Sequence, residues 1–171
     1  MRYSPPVSQG LCTTVLLAIS LAACSHPTSQ QSGGTSSGST SGGKPAPPSP
    51  MVVIEAGGRT LRIPVEVART PEERQKGLMY RRELPAHGGM IFLFDEDEVQ
   101  SFWMQNTYIP LDMVFINSAM TVVGVVENAE PLTTTPRRVE EPSRYVLEVN
   151  GGFARRSGIA KGARVTFEHL R

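Results

Sequence analysis

Residues 51–171 predict an α+β domain, mostly antiparallel β, built as a compact barrel-like sheet with two short helices. Three observations carry this expectation. Short runs rich in β-branched and aromatic residues recur along the whole segment. Turn-forming residues separate them, and no long amphipathic stretch intervenes. Only two places carry helix signals, and both are brief.

In chain order, residues 52–54 (VVI) and 61–67 (LRIPVEV) read as strands around the Gly57-Gly58 turn signal. Pro64 lies inside the second run and lacks an N–H, which argues for an edge strand or a bulge. Thr70 then offers a helix N-cap, Pro71 suits the first helical position, and Glu73 completes a Thr-x-x-Glu capping box. The helix should run about two turns and stop near Gly77. Residues 90–94 (MIFLF) form a continuous apolar run, and 100–104 (QSFWM) alternate before a turn. Residues 113–117 and 121–127 read as strands joined at Ser118-Ala119, and 145–149 (YVLEV) and 164–167 (RVTF) complete the set. A helical turn is expected over 152–157, with Gly158 as its stop.

The 50 residues before this domain have a different character. Residues 1–23 read as an export signal: Arg2 near the amine, then an apolar run over 11–21 (LCTTVLLAISL). That run falls far short of the roughly 20 residues that span a bilayer. It ends in Leu21-Ala22-Ala23-Cys24, which is similar to the lipobox of bacterial lipoproteins. Small residues there admit a peptidase, and the Cys24 sulfur is nucleophilic enough to accept a lipid. Residues 24–50 follow as a Ser/Gly/Pro tether whose composition cannot build a core. The expectation is an exported lipoprotein anchored to a membrane through Cys24. With Ser25 rather than Asp after the cysteine, it should face the periplasm from the outer membrane if the cell has two membranes.

Charge and cysteine usage exclude several classes. Lys and Arg number 17 against 16 acidic residues, and cleavage before Cys24 would remove only Arg2. No basic excess or stripe offers itself to a phosphate backbone, so nucleic acid is not an expected partner. Both cysteines lie in the first 24 residues, leaving the domain without a disulfide, a thiolate nucleophile or a Cys-type zinc site. His87 and His169 have no metal-ligand spacing, and the acidic run 95–98 (DEDE) lacks the pattern of a calcium loop. No Gly-x-Ser-x-Gly elbow, phosphate loop or dinucleotide glycine pattern occurs. The chemistry calls for no cofactor and no metal.

The most distinctive stretch is 102–113 (FWMQNTYIPLDM). It resembles the hallmark of the bacterial and archaeal family called domain of unknown function 192. Residues 67–79 (VARTPEERQKGLM), 89–94 (GMIFLF) and 147–152 (LEVNGG) resemble further blocks of that family in the same order. Gln105 departs from the pattern, standing where the family usually carries Lys or Arg. The resemblance implies a compact, mostly β fold with small helices and no established activity.

Function must therefore be read from the residues themselves. Phe102 and Met104 should face one way on an extended segment, and Trp103 and Gln105 the other. Two arrangements are open. In one, Trp103 fills the core while Asn106 and Asp112 brace loops. In the other, Trp103, Asn106, Thr107 and Asp112 converge on a site for a small polar ligand. Glu148 and Asn150, before Gly151-Gly152, are further candidates because backbone N–H groups opening a helical turn can meet an anion. The expected function is a membrane-tethered cell-envelope module that binds a small polar ligand or an envelope protein. Two alternatives stand beside it: an envelope-polymer hydrolase using Asp112 and Glu148 as an acid/base pair, and an accessory interaction protein without a pocket.

Overall fold

A computed structural model describes residues 48–170 of the chain. The expected leader, Cys24 and nearly all of the expected tether lie outside the described residues. The elements run β1 (Met51–Ala56), β2 (Arg59–Ala68), α1 (Pro71–Lys76), β3 (Gly89–Glu98), β4 (Leu111–Ile116), β5 (Val122–Ala129), β6 (Ser143–Asn150), α2 (Phe153–Ser157) and β7 (Arg164–Glu168). All seven strands belong to one sheet, ordered β5-β4-β6-β3-β2-β1-β7. Every pairing is antiparallel except β2 with β3. A parallel pair needs a crossover connection, and α1 with the loop after it supplies one.

The sheet curls into a half-barrel whose outermost strands meet at one end. Thr121 and Arg164 form a bridge there, and the Val122 amide donates to Ala163 at 2.9 Å. This partial closure leaves fewer unpaired backbone groups on the two edge strands.

Alternation along the strands divides the core in two. Val52, Ile54, Ile63, Ile91, Val114, Leu147, Val149 and Val165 belong to one cluster, drawn from strands across the whole sheet. That breadth marks it as the concave interior. The intervening residues of the central strands, Met90, Phe92, Leu111, Met113, Phe115 and Val146, form a second cluster with Leu78, Leu84, Met104 and Ile109. The outer face of β3, β6 and β4 is therefore covered as well, by the segment after α1 and the one before β4. All six residues of β4 are buried because both its faces are packed.

Local signals account for the helix ends. Thr70 Oγ1 accepts from the Glu73 amide at 3.2 Å, and Glu73 Oε2 accepts from Thr70 N at 3.0 Å, completing the capping box. Gly77 ends α1 at φ 43°, and a Cβ there would come within 3.0 Å of the Phe92 ring. Gly158 ends α2 in the left-handed region.

Two expectations are corrected. Pro64 does not mark an edge strand, since β2 lies between β1 and β3. It is paired with Met51 at the end of the β1 ladder, and the β3 ladder begins one residue later at Val65. The proline thus sits where the strand changes partners. Residues 100–104 are not a strand of the sheet: only Phe102 forms a bridge, with Arg137. Alternation there arises from a loop with one wall packed and the other open.

Candidate ligand site

Glu148 lies on β6, opposite Met90 of β3 on one side and Met113 of β4 on the other. Cross-strand partners share a face, so its carboxyl projects from the outer face between two buried methionines. The residue is 4% exposed. Burial alone pushes its carboxyl up from 4.5 to about 8, with no hydrogen bond or neighbouring charge contributing. At neutral pH it therefore holds its proton.

A cavity of about 270 Å³ opens above this carboxyl. Arg74, Lys76 and Met79 contribute to it from α1 and the turn that follows, Phe94 from β3, and Phe102, Trp103 and Thr107 from the segment before β4. The Arg74 guanidinium lies 5.0 Å from the centre of the Phe94 ring and donates to the Leu93 carbonyl at 2.9 Å. It also donates to the Arg69 carbonyl, so this cation is held in place.

Phe102 anchors the aromatic wall. Its ring meets Phe92 edge-on at 5.0 Å between centres and Phe94 and Phe115 at 6.2 Å each. Its backbone exchanges hydrogen bonds with Arg137, and Met104 N donates to Thr133. With Phe102 and Met104 turned inward, Trp103 is turned outward and is 50% exposed. Trp103 thus does not fill the core. Three neighbouring residues have positive φ without being glycine: Tyr80 at 65°, Asn106 at 55° and Leu132 at 60°. Their backbones are tied to this segment, since Tyr80 N donates to Asn106 O and Leu132 N to Thr107 O. For Tyr and Leu such a conformation is costly and persists only where the surroundings enforce it. The segment that carries Trp103 and Thr107 to the cavity is accordingly braced by its neighbours.

Of the six residues expected at a site, Trp103, Thr107 and Glu148 line this cavity. The other three are structural. Asp112 is fully buried. One of its oxygens accepts from the Asn128 and Gly152 amides and the other from Ala154 N, each at 2.8 Å. It caps α2 from another strand and ties the end of β5 to it. The amides after Gly151 that might have met an external anion thus already have an internal one. Asn106 donates from Nδ2 to the Tyr80 hydroxyl at 3.0 Å. Asn150 donates from Nδ2 to the carbonyls of Leu84 and Pro85, at 3.2 and 3.0 Å.

The acid/base pair of Asp112 and Glu148 is corrected by register. Asp112 is paired with Val149, whereas Glu148 is paired with Met113. Neighbouring positions on a strand point to opposite faces, so the two carboxyls lie on opposite sides of the sheet and cannot act on one bond.

Arg74, Lys76 and Phe94 escaped the sequence reading. The two cations lie in the last turn of α1, where basic residues are ordinarily explained by the helix dipole. Nothing local indicates that this turn lines a cavity with Glu148, more than seventy residues later in the chain.

Fold and site together define a half-barrel of unassigned activity with a one-sided cavity on its outer face. The chain belongs to the family described as "Uncharacterized ACR", whose model matches residues 52–167. Two solved structures are similar to it at 40% identity. A protein of unknown function from Novosphingobium aromaticivorans DSM 12444 has a TM-score of 0.66, the match covering 68% of this chain and 83% of that one. A putative transcription regulator from Sinorhizobium meliloti 1021 has a TM-score of 0.67, covering 73% and 98%. Comparison with curated proteins gives no match.

Proposed function

We propose that this protein is a non-enzymatic binding module that holds a small polar ligand between Trp103 and Glu148, tethered to a membrane through Cys24. One observation carries the reading: a carboxyl with no hydrogen-bond partner among the described residues forms the floor of a cavity, where its cross-strand neighbours on the same face are methionines. A polar group drawn largely out of water with no protein partner is costly even where it borders a cavity. A third apolar residue would serve packing better, so the carboxyl makes sense as half of an interaction that a ligand completes. The half-exposed indole supplies an apolar platform at the rim, and Thr107 adds a hydroxyl, a usual recipe for a small-molecule site. The cavity also favours this reading over that of a pocketless accessory protein.

Trp103 is the sole tryptophan of the chain, so intrinsic fluorescence reports the site directly. Titrating the mature chain with a panel of small carboxylates, amines, amino acids and sugars should give saturable changes with at least one class. The same compound should raise the melting temperature through preferential binding to the folded state. Glu148→Leu should abolish both responses. Responses unchanged in that variant, or none with any class, would remove the basis for the site.

A further inference from the structure

The charges around Glu148 indicate what the ligand should carry. From α1 the cavity receives Arg74 and Lys76. From the segment before β4 it receives Gln100, Ser101 and Thr107, all uncharged, and β3 and β4 present Met90, Phe94 and Met113 to the same side. Glu148 is the one acidic residue in the lining, and burial keeps it neutral at pH 7. Among the described residues the cavity lining therefore bears two positive charges and no negative one. Lys76 forms no ion pair among the described residues, and only Nη1 of Arg74 is committed, to two backbone carbonyls.

Building on the site reading above, we propose that the cavity takes a small organic anion. The protonated Glu148 carboxyl donates a hydrogen bond to the anion, Arg74 and Lys76 offset its charge, and Phe102 and Trp103 pack against its apolar body. A neutral acid can donate where an ionised one would repel, and apolar surroundings are a known means of keeping a carboxylic acid neutral. A cationic ligand would face two like charges, one of them fixed beside the Phe94 ring. A wholly neutral one would leave Lys76 without a counter-charge and Arg74 with only the attraction of exposed Glu72 on its own helix.

Three compounds of one shape, benzoate, benzyl alcohol and benzylamine, separate these cases at pH 7 by Trp103 fluorescence and calorimetry on the mature chain. Benzoate should bind at least tenfold tighter than either of the others. Its affinity should fall about tenfold from pH 7 to pH 9, because above about 8 the proton needed for the hydrogen bond is increasingly lost. Glu148→Gln retains a donor, so it should still bind benzoate but without the loss at high pH, whereas Glu148→Leu should not bind it. Lys76→Ala, at an exposed surface position, should weaken benzoate and leave benzyl alcohol unchanged. Preference for benzylamine or benzyl alcohol would overturn the anion assignment while leaving the site standing. Silence from all three and from the wider panel would overturn both.

Discussion

Replacing Glu148 by Gln should make the protein more stable, by an amount that grows with pH. In the folded chain burial pushes this carboxyl to about 8, against 4.5 when unperturbed. Between those values the native state keeps the proton and the unfolded chain gives it up. The folded state binds more protons, so stability must fall as pH rises. The contribution is fully present below about pH 4.5, declines across the window, and is gone above about pH 8. The slope is about 1.4 kcal/mol per pH unit at its steepest, and tapering at both ends leaves about 3–4 kcal/mol between pH 5 and pH 8. Gln has nearly the same shape and does not titrate. Urea unfolding of wild type and Glu148→Gln across that range should therefore give curves that lie close together at low pH and separate by about 3–4 kcal/mol at pH 8. Exposed carboxylates such as Glu72, Glu73 and Glu141, held below the usual range by hydrogen bonds, titrate alike in both proteins and drop out of the difference. Parallel curves would refute the reasoning. They would mean that Glu148 ionises normally, with water or a partner reaching it, and the argument for an uncompensated carboxyl would fail.

Asp112 and Trp103 should behave in opposite ways. Asp112→Ala strands three backbone amides in or near the core, and at about 1–3 kcal/mol each it should cost at least about 3 kcal/mol by denaturant unfolding. Trp103→Ala should cost under about 1 kcal/mol despite the size of the side chain, because half of the residue already faces solvent; a loss like that of Asp112→Ala would show a packed indole and dissolve the site. For the proposed tether, Cys24→Ser should abolish incorporation of labelled lipid and release the protein from membranes, and unchanged retention would exclude lipid anchoring.

Local chemistry alone sufficed for much of the fold. The capping box at Thr70 and Glu73 involves groups three residues apart, and the Gly158 stop needs only a backbone conformation that glycine adopts freely. Strand segments were legible because alternation and β-branching act within a few residues. The family blocks, too, are sequence patterns in order along the chain. Register was beyond local reading, and register decided the site. Asp112 and Glu148 are equally acidic in the sequence, yet pairing to Val149 and Met113 sends them to opposite faces. One became an internal cap with three donors, the other a bare carboxyl in an apolar wall. Likewise, nothing near Trp103 says whether its ring is buried; that depends on Phe102 finding Phe92 and Phe115, and on backbone pairing with residues 133 and 137. Pro64 was misjudged for the same reason, since a missing N–H matters only relative to the strand that would have received it. Secondary structure follows from interactions a few residues apart. The face on which a carboxyl stands, and the residues that share a cavity with it, follow from contacts between residues that only folding brings together.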